Sequence, residues 1–244
     1  MTTLEPKILE MTEFGPLVET DDGSLTIRHS GHGQDFHSTE GAMYEARELY
    51  VVASGYLDAL CVGGETLHVL DVGMGLAYNA AASVAAWLES DGKRSVSMVS
   101  LEIDPRLASV VAGGGAPWFK GWRDAWLAGP RAFGEGFTAR LQHPKSAAVC
   151  DWVILVGDGT KTLKSVTQTR FDFVWQDPFT PQLNPGMWSS EWFSLVRRVV
   201  SEGAVLMTYS VSRVVKDALE SGGWSQQKIK TPGRKRHWLR AMPR

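Results

Sequence analysis

His68-Val69-Leu70-Asp71-Val72-Gly73-Met74-Gly75 is the stretch on which the fold turns. A strand of apolar residues runs into a glycine turn, and an alanine-rich segment with helical character follows to about Ser90. Glycine at such a junction lets backbone approach a ligand closely, because no Cβ stands in the way. Working outward, 95–101 is a second strand, ending in Glu102-Ile103-Asp104-Pro105. Further strands are expected at 152–156, 171–175 and 204–209, with helices near 189–200 and 211–221. This alternation predicts an α/β fold around a mostly parallel sheet. Two last segments, 224–230 and 237–242, flank Thr231-Pro232-Gly233-Arg234 and read as a hairpin. The glycine-, tryptophan- and arginine-rich region between Pro105 and Ala147 reads as one helix followed by irregular structure.

Ahead of the glycine turn, residues 17–29 read as two short extended pieces around Asp21-Asp22-Gly23. Ser38 is placed to cap a helix whose apolar positions Ala42, Ala46, Leu49, Ala53 and Leu57 follow the helical period. Glu45 lies on the edge of that stripe, where an acid is usually solvated or paired with a base such as Arg47. The expected organisation is an N-terminal β-hairpin and helix over 1–60, packed on a main domain over 61–244 as one structural unit.

The composition narrows the class. A chain of 244 residues with 43% hydrophobic content can bury a full core. Its net charge of −2 averages over a basic end, Arg234, Lys235, Arg236, Arg240 and Arg244, so attraction to an acidic partner would be local. Cys61 and Cys150 are too few for a disulfide framework, and the six histidines show no metal-ligand spacing, so no metal is expected. Met1 to Glu13 is mixed and acidic rather than basic-then-apolar. No apolar run reaches the roughly 18 residues of a membrane span. A soluble cytoplasmic protein is expected.

Four acidic or glycine-bearing turns follow successive strands. In the first, Gly73-x-Gly75-x-Ala77-x-Asn79, position 78 is Tyr and the dinucleotide fingerprint fails for want of a third glycine. Glu102 ends the second strand, where an acid would receive two ribose hydroxyls, as in both NAD enzymes and nucleoside-sulfonium enzymes. Gly157-Asp158-Gly159 follows the third strand and either holds an adenine amino group or forms a tight turn. Asp177-Pro178-Phe179-Thr180-Pro181 follows the fourth. Its carboxylate, proline and aromatic suit the presentation of an amine to an electrophile, though Asp-Pro also ends strands. Asp177 is the leading catalytic candidate.

In that order, the four turns resemble those of the class I S-adenosylmethionine methyltransferases, from about 65 to 242. The resemblance implies a Rossmann-like, seven-stranded, mostly parallel sheet of order 3-2-1-4-5-7-6 with an antiparallel C-terminal hairpin, preceded here by a small N-terminal β element. Three segments narrow it. Asp22-Gly23-Ser24-Leu25-Thr26 with 36–45, then 177–188 (Asp-Pro-Phe-Thr-Pro-Gln-Leu-Asn-Pro-Gly-Met-Trp), then Gly233-Arg234-Lys235-Arg236, are similar to motifs of the tRNA 5-methylaminomethyl-2-thiouridine methyltransferases. The chain departs from that pattern at Phe36, commonly tyrosine, at Ala77, often glycine, and over 106–150.

This family resemblance implies S-adenosylmethionine as cofactor, held by Gly73, Met74, Gly75, Asn79, Glu102, Ile103 and Asp158, with Glu45 on its ammonium. It also implies that Asp177 is catalytic, that Pro178 and Phe179 wall the acceptor pocket, and that Lys235 and Arg236 contact phosphates. The implied reaction is N-methylation of the aminomethyl group of 5-aminomethyl-2-thiouridine at the wobble position, in the anticodon loop of tRNA. In many bacteria a flavin-dependent oxidase domain is fused to this methyltransferase. A chain of this length is too short to hold one, so a separate flavin oxidase or other aminomethyl-forming enzyme is expected upstream. Trp188 is expected to pack in the core beside its loop, Trp118, Trp122 and Trp126 to serve packing, and His37 to be structural. The competing readings are a methyl- or alkyltransferase acting on a small-molecule amine, a non-catalytic RNA-binding relative and, third, an NAD-dependent dehydrogenase.

Overall fold

The computed structural model describes residues 8–114, 116–119, 131–133, 136–166, 170–230 and 237–244. Strands β1 (Ile8–Thr12), β2 (Gly15–Glu19) and β3 (Leu25–Ile27) form a small antiparallel sheet. The main sheet holds β4 (Leu67–Val72), β5 (Val96–Glu102), β6 (Arg131–Phe133), β7 (Gly136–Gln142), β8 (Val149–Val156) and β9 (Phe171–Gln176). It is completed by β10 (Val200–Thr208), β11 (Trp224–Lys230) and β12 (His237–Pro243). Its order is β11-β12-β10-β9-β4-β5-β8-β7-β6. The run from β8 to β11 is the expected seven-stranded arrangement, parallel from β8 through β10, with β12 antiparallel to both β10 and β11.

β4 lies at the centre because Leu67, Val69, Leu70 and Val72 are all buried, as a strand covered on both faces requires. One face carries Val69, Met98, Trp152 and Trp175 under the small residues of α3 (Tyr78–Glu89). The other carries Leu70, Val99, Val174 and Leu206 under Trp192, Phe193 and Val196 of the helix Ser190–Arg197. Phe14, Leu17, Leu25 and Ile27 of the N-terminal segment belong to the first of these cores. Tyr78 fastens that segment to α3, accepting from Leu25 N at 3.2 Å and donating to Leu25 O at 2.7 Å.

Three local expectations are corrected. The region after α4 (Pro105–Ala112) is not irregular throughout: β6 and β7 form a hairpin that adds two antiparallel strands beside β8. The period-two pattern Phe137-Thr138-Ala139-Arg140-Leu141-Gln142, with Ala139 and Leu141 buried, is the signal for it. Second, Ser38 does not cap the first helix. Ser24 Oγ accepts from Ala42 N at 2.9 Å and Met43 N at 3.3 Å, and Asp22 Oδ2 from Tyr44 N at 2.8 Å, so the preceding hairpin turn does the capping.

Third, the single helix expected through Leu57 is α1 (Ala42–Glu45), a π-helical stretch Ala46–Val52, and α2 (Tyr56–Cys61) after Gly55 at φ 87°. Ala53 N bonds to Glu48 O at 2.9 Å, five residues back. That wider turn shifts the buried face to Tyr50, Val51, Tyr56 and Leu60, leaving Ala53 and Leu57 partly exposed. Lys235, Arg236, the 231–234 turn, Trp122 and Trp126 lie outside the described residues. Among the described residues no helix is long and apolar enough to cross a membrane, and no group of three or more His, Cys, Asp or Glu could hold a metal ion.

Candidate active site

Parallel register brings four strand ends to one edge. Val72 pairs with Leu101 and Gln176, and Glu102 pairs with Val156, so Gly73, Glu102, Gly157 and Asp177 emerge side by side. β5 and β8 lie on one side of β4 and β9 and β10 on the other, which makes this edge the switch point where open α/β sheets take ligands. A cavity of about 860 Å³ opens there. Glu45, Gly73, Met74, Gly75 and Glu102 line it. So do Ile103, Asp158, Asp177, Pro178 and Phe179.

The glycine loop is shaped by its neighbours. Gly73 has φ 77°, and a Cβ there would stand 2.7 Å from Pro178 Cα. The loop between β4 and α3 therefore packs directly on the Asp177-Pro178 turn, and a side chain at 73 would push them apart. Gly75 N donates to Glu102 Oε2 and Asp104 N to Glu102 Oε1, both at 2.8 Å. Burial pushes the Glu102 carboxyl up to about 7, with the backbone donors pulling the other way. Each carboxylate oxygen keeps a further lone pair for a ligand donor. Beside it Ile103 is 73% exposed, an apolar surface bare enough to cover a flat ring.

Asp158 caps the short helix Gly159–Thr162, accepting from Thr160 N at 3.0 Å and Thr160 Oγ1 at 2.7 Å. The hydroxyl bond of Thr160 holds its carboxyl below the usual value. Asp158 thus forms the tight turn and also lines the cavity.

Asp177 closes the opposite end. Its carboxylate accepts from Asn79 Nδ2 at 2.8 Å, and the Tyr50 hydroxyl, which donates to Gln176 O at 3.5 Å, lies beside it. Enclosure by protein pushes the carboxyl up to about 8, and Glu45 adds repulsion, while Asn79 and Tyr50 pull it down. Two acids, Glu45 and Asp177, thus face one cavity, an arrangement that a cation would relieve. The following turn is held rigidly: Tyr209 Oη donates to Pro178 O at 2.9 Å, Trp188 Nε1 to Phe179 O at 2.8 Å, and Gln176 Nε2 to Met187 O at 2.7 Å. Trp188 is buried beside its loop, and Trp118 is buried with Nε1 on Leu76 O at 2.9 Å.

Asn79 stands apart from the other residues expected to hold the cofactor. It does not line the cavity; the first turn of α3 sets it behind Asp177, which it orients. His37 is buried, its ring edge-on to Tyr78 at 5.1 Å, and burial lowers it to about 4. Sequence reasoning missed Tyr50, which the π-helical stretch carries to Asp177, and Asp71, fully buried and accepting from Ser100 Oγ at 2.7 Å. Tyr209, at the end of the strand expected over 204–209, carries no sequence signal of its bond to Pro178 O. His29 and His32, which also line the cavity, sit in a polar, glycine-flanked stretch that carries no chemical signal of its own.

Residues 137–244 match the family model described as S-adenosyl-L-methionine-dependent methyltransferase. The tRNA 5-methylaminomethyl-2-thiouridine biosynthesis bifunctional protein MnmC of Azoarcus sp. (strain BH72) is 30% identical over 224 residues, which cover 90% of this chain and 34% of that protein. Its namesake from Thiobacillus denitrificans (strain ATCC 25259 / T1) is 26% identical over 223 residues, 87% of this chain and 34% of that one. The chain therefore spans about a third of the length of these curated relatives. The crystal structure of MNMC2 from Aquifex aeolicus superposes with a TM-score of 0.74 at 26% identity, covering 97% of this chain and 72% of that one.

Proposed function

This chain belongs to the S-adenosyl-L-methionine-dependent methyltransferases and is related to the methyltransferase part of the bifunctional MnmC proteins, and from that premise we propose that it N-methylates the aminomethyl group of 5-aminomethyl-2-thiouridine at the wobble position of tRNA, in the cytoplasm. The residues present fit the cofactor. Gly73 and Gly75 line the cavity without side chains to fill it, Glu102 keeps lone pairs that would take two ribose hydroxyls, and Asp158 and Glu45 would hold the adenine amino group and the ammonium. Bound there, S-adenosylmethionine supplies an electrophilic methyl on sulfonium sulfur.

The protein's task is then to deliver a neutral amine. An aliphatic ammonium titrates at about 9 to 10 and has no lone pair to attack with. Burial raises Asp177 to about 8, and a bound cation lowers it again, so its part is to hold and orient the amine while the proton leaves through water. Asp177 accepts an N–H of the amine and turns its lone pair toward the methyl, held in place by Asn79 with Tyr50 beside it. Pro178 and Phe179 wall the acceptor and keep water out. The enclosed, elevated Asp177 facing the same cavity as Glu102 is the observation that carries this reading. The aminomethyl group would be supplied by a separate enzyme acting earlier on the same uridine.

The test is methyl transfer to bulk tRNA lacking the wobble methyl group, compared with free aliphatic amines, followed by mass spectrometry of the nucleosides. Methylation confined to the wobble uridine is expected. Activity on free amines alone overturns the proposal in favour of a small-molecule methyltransferase. Retention of the cellular role by Asp177→Ala would favour a non-catalytic RNA-binding protein.

A further inference from the structure

Four aromatic rings meet at the mouth of the cavity. His29 and His32 stack at 4.4 Å with an interplanar angle of 26°. Phe179 lies edge-on to both, at 5.6 Å and 5.1 Å, and Phe36 contacts Phe179 at 5.0 Å and His29 at 5.4 Å. All four line the cavity. Phe36 also stands over the glycine loop, where a Cβ on Gly75 would meet its ring at 3.1 Å. The cluster therefore bridges the glycine loop to the turn that carries Asp177.

The turn beneath the imidazoles is built to present them. Gly31 N and His32 N both donate to His29 Nδ1, at 3.0 Å and 3.2 Å, so in the neutral ring the proton sits on Nε2. Burial lowers His29 further, with His32 beside it acting in the same direction. A ring cluster that served only to hold down the 28–37 segment would bury its members. Here the outermost ring, His32, is exposed while Phe36 and Phe179 are half-buried. A small aliphatic amine would need the two acids but not an open aromatic face.

We propose that His29 and His32, stacked beside Phe179, form the platform on which the unstacked base of the nucleic-acid substrate lies while its amine reaches Asp177. This inference rests on the tRNA reading above. Aromatic side chains, histidine included, are the usual surface for splayed-out bases in single-stranded loops, and the contact tolerates any base that offers a π-face. The planar heterocycle, rather than the amine alone, thus becomes part of what the site recognises.

The test uses the full chain, with tRNA lacking the wobble methyl group as substrate and S-adenosylmethionine affinity measured by calorimetry. His32→Ala is expected to raise KM for tRNA about fivefold or more, with kcat within about twofold. Cofactor affinity should stay at the wild-type value, which also reports an intact fold. His32→Phe, which keeps a ring face, should restore KM, whereas His32→Leu, apolar without one, should not. An unchanged KM in His32→Ala, or rescue by leucine equal to that by phenylalanine, overturns the inference and leaves the tRNA reading standing. Failure of the wild-type chain to methylate tRNA at all overturns both.

Discussion

Asn79 Nδ2 donates to Asp177 Oδ2 at 2.8 Å, tying the first turn of α3 to the residue that follows β9. The pair joins the element that carries the glycine loop to the one that carries the acceptor side of the cavity, so the two halves keep a fixed separation. Asn79→Ala removes a buried donor from a carboxylate that is already costly to ionise, a loss of about 1–3 kcal/mol. The expected outcome is a fall in kcat of about tenfold to a hundredfold, with cofactor affinity within about threefold of wild type, read by methyl transfer and calorimetry. Weakened cofactor binding with unchanged kcat would return Asn79 to the cofactor side.

Glu102 does two things with one side chain: it fixes Gly75 N and Asp104 N, and it offers lone pairs to the cavity. Glu102→Ala leaves both backbone donors without their acceptor and loosens the glycine loop. Cofactor affinity is expected to fall about thirtyfold or more, from the loss of charge-assisted bonds worth roughly 1.5–3 kcal/mol each. Glu102→Gln keeps one acceptor oxygen and should lose less. Equal affinity for wild type and Glu102→Ala in calorimetry would remove Glu102 from the cofactor's contacts.

The sheet was legible in the sequence because its signals are local. Four of the five parallel strands, β4, β5, β8 and β9, are short apolar runs that end at a glycine or an acid, and 67–79 declares strand, turn and helix in thirteen consecutive residues. The β6–β7 hairpin was hidden among glycines and tryptophans, where the alternation of 137–142 is brief. The π-helical stretch was hidden for another reason: a 3.6-residue template fits either side of it but not the phase change between them. Most of the candidate site came from acids at strand ends. Tyr50, Asp71 and the orientation of Asn79 did not, because their contacts span 29 to 126 residues of sequence and are fixed only when the sheet closes.

Gly73 is constrained twice, by φ 77° and by the 2.7 Å that would separate a Cβ from Pro178 Cα. Backbone strain of this kind costs about 1–3 kcal/mol before the clash is counted. For a chain of this size each kcal/mol lowers Tm by about 2–4 °C. Gly73→Ala should therefore melt about 4–10 °C lower and lose activity, since the loop can yield only by moving Asp177. Gly186→Ala is the control: a Cβ there meets nothing within 4 Å, and Tm should stay within about 2 °C. A Gly73→Ala protein that melts like wild type would show that the two loops do not bear on each other.

Glu102 and Asp177 titrate in the fold at about 7 and about 8, above their ordinary values of 4.5 and 3.8. Between those limits the folded chain holds protons that the unfolded chain has released. Their contribution to stability is therefore full at low pH and is lost as pH rises through 7 to 8. His37, lowered from 6.5 to about 4, works in the opposite sense: its contribution is full above 6.5 and is lost as pH falls through 4. The two windows overlap, and two carboxyls outweigh one imidazole, so without ligand Tm should decline from about pH 5 to 8 and level off above. A cationic cofactor reverses the first trend, because ribose hydroxyls donating to Glu102 and positive charge beside Asp177 both favour the ionised acids. Binding at pH 6.5 should release protons, and affinity should rise from pH 6 to 8. Calorimetry in buffers of different ionisation enthalpy measures the released protons directly, and net proton uptake at pH 6.5 would contradict the assignment of these two acids to the ligand cavity.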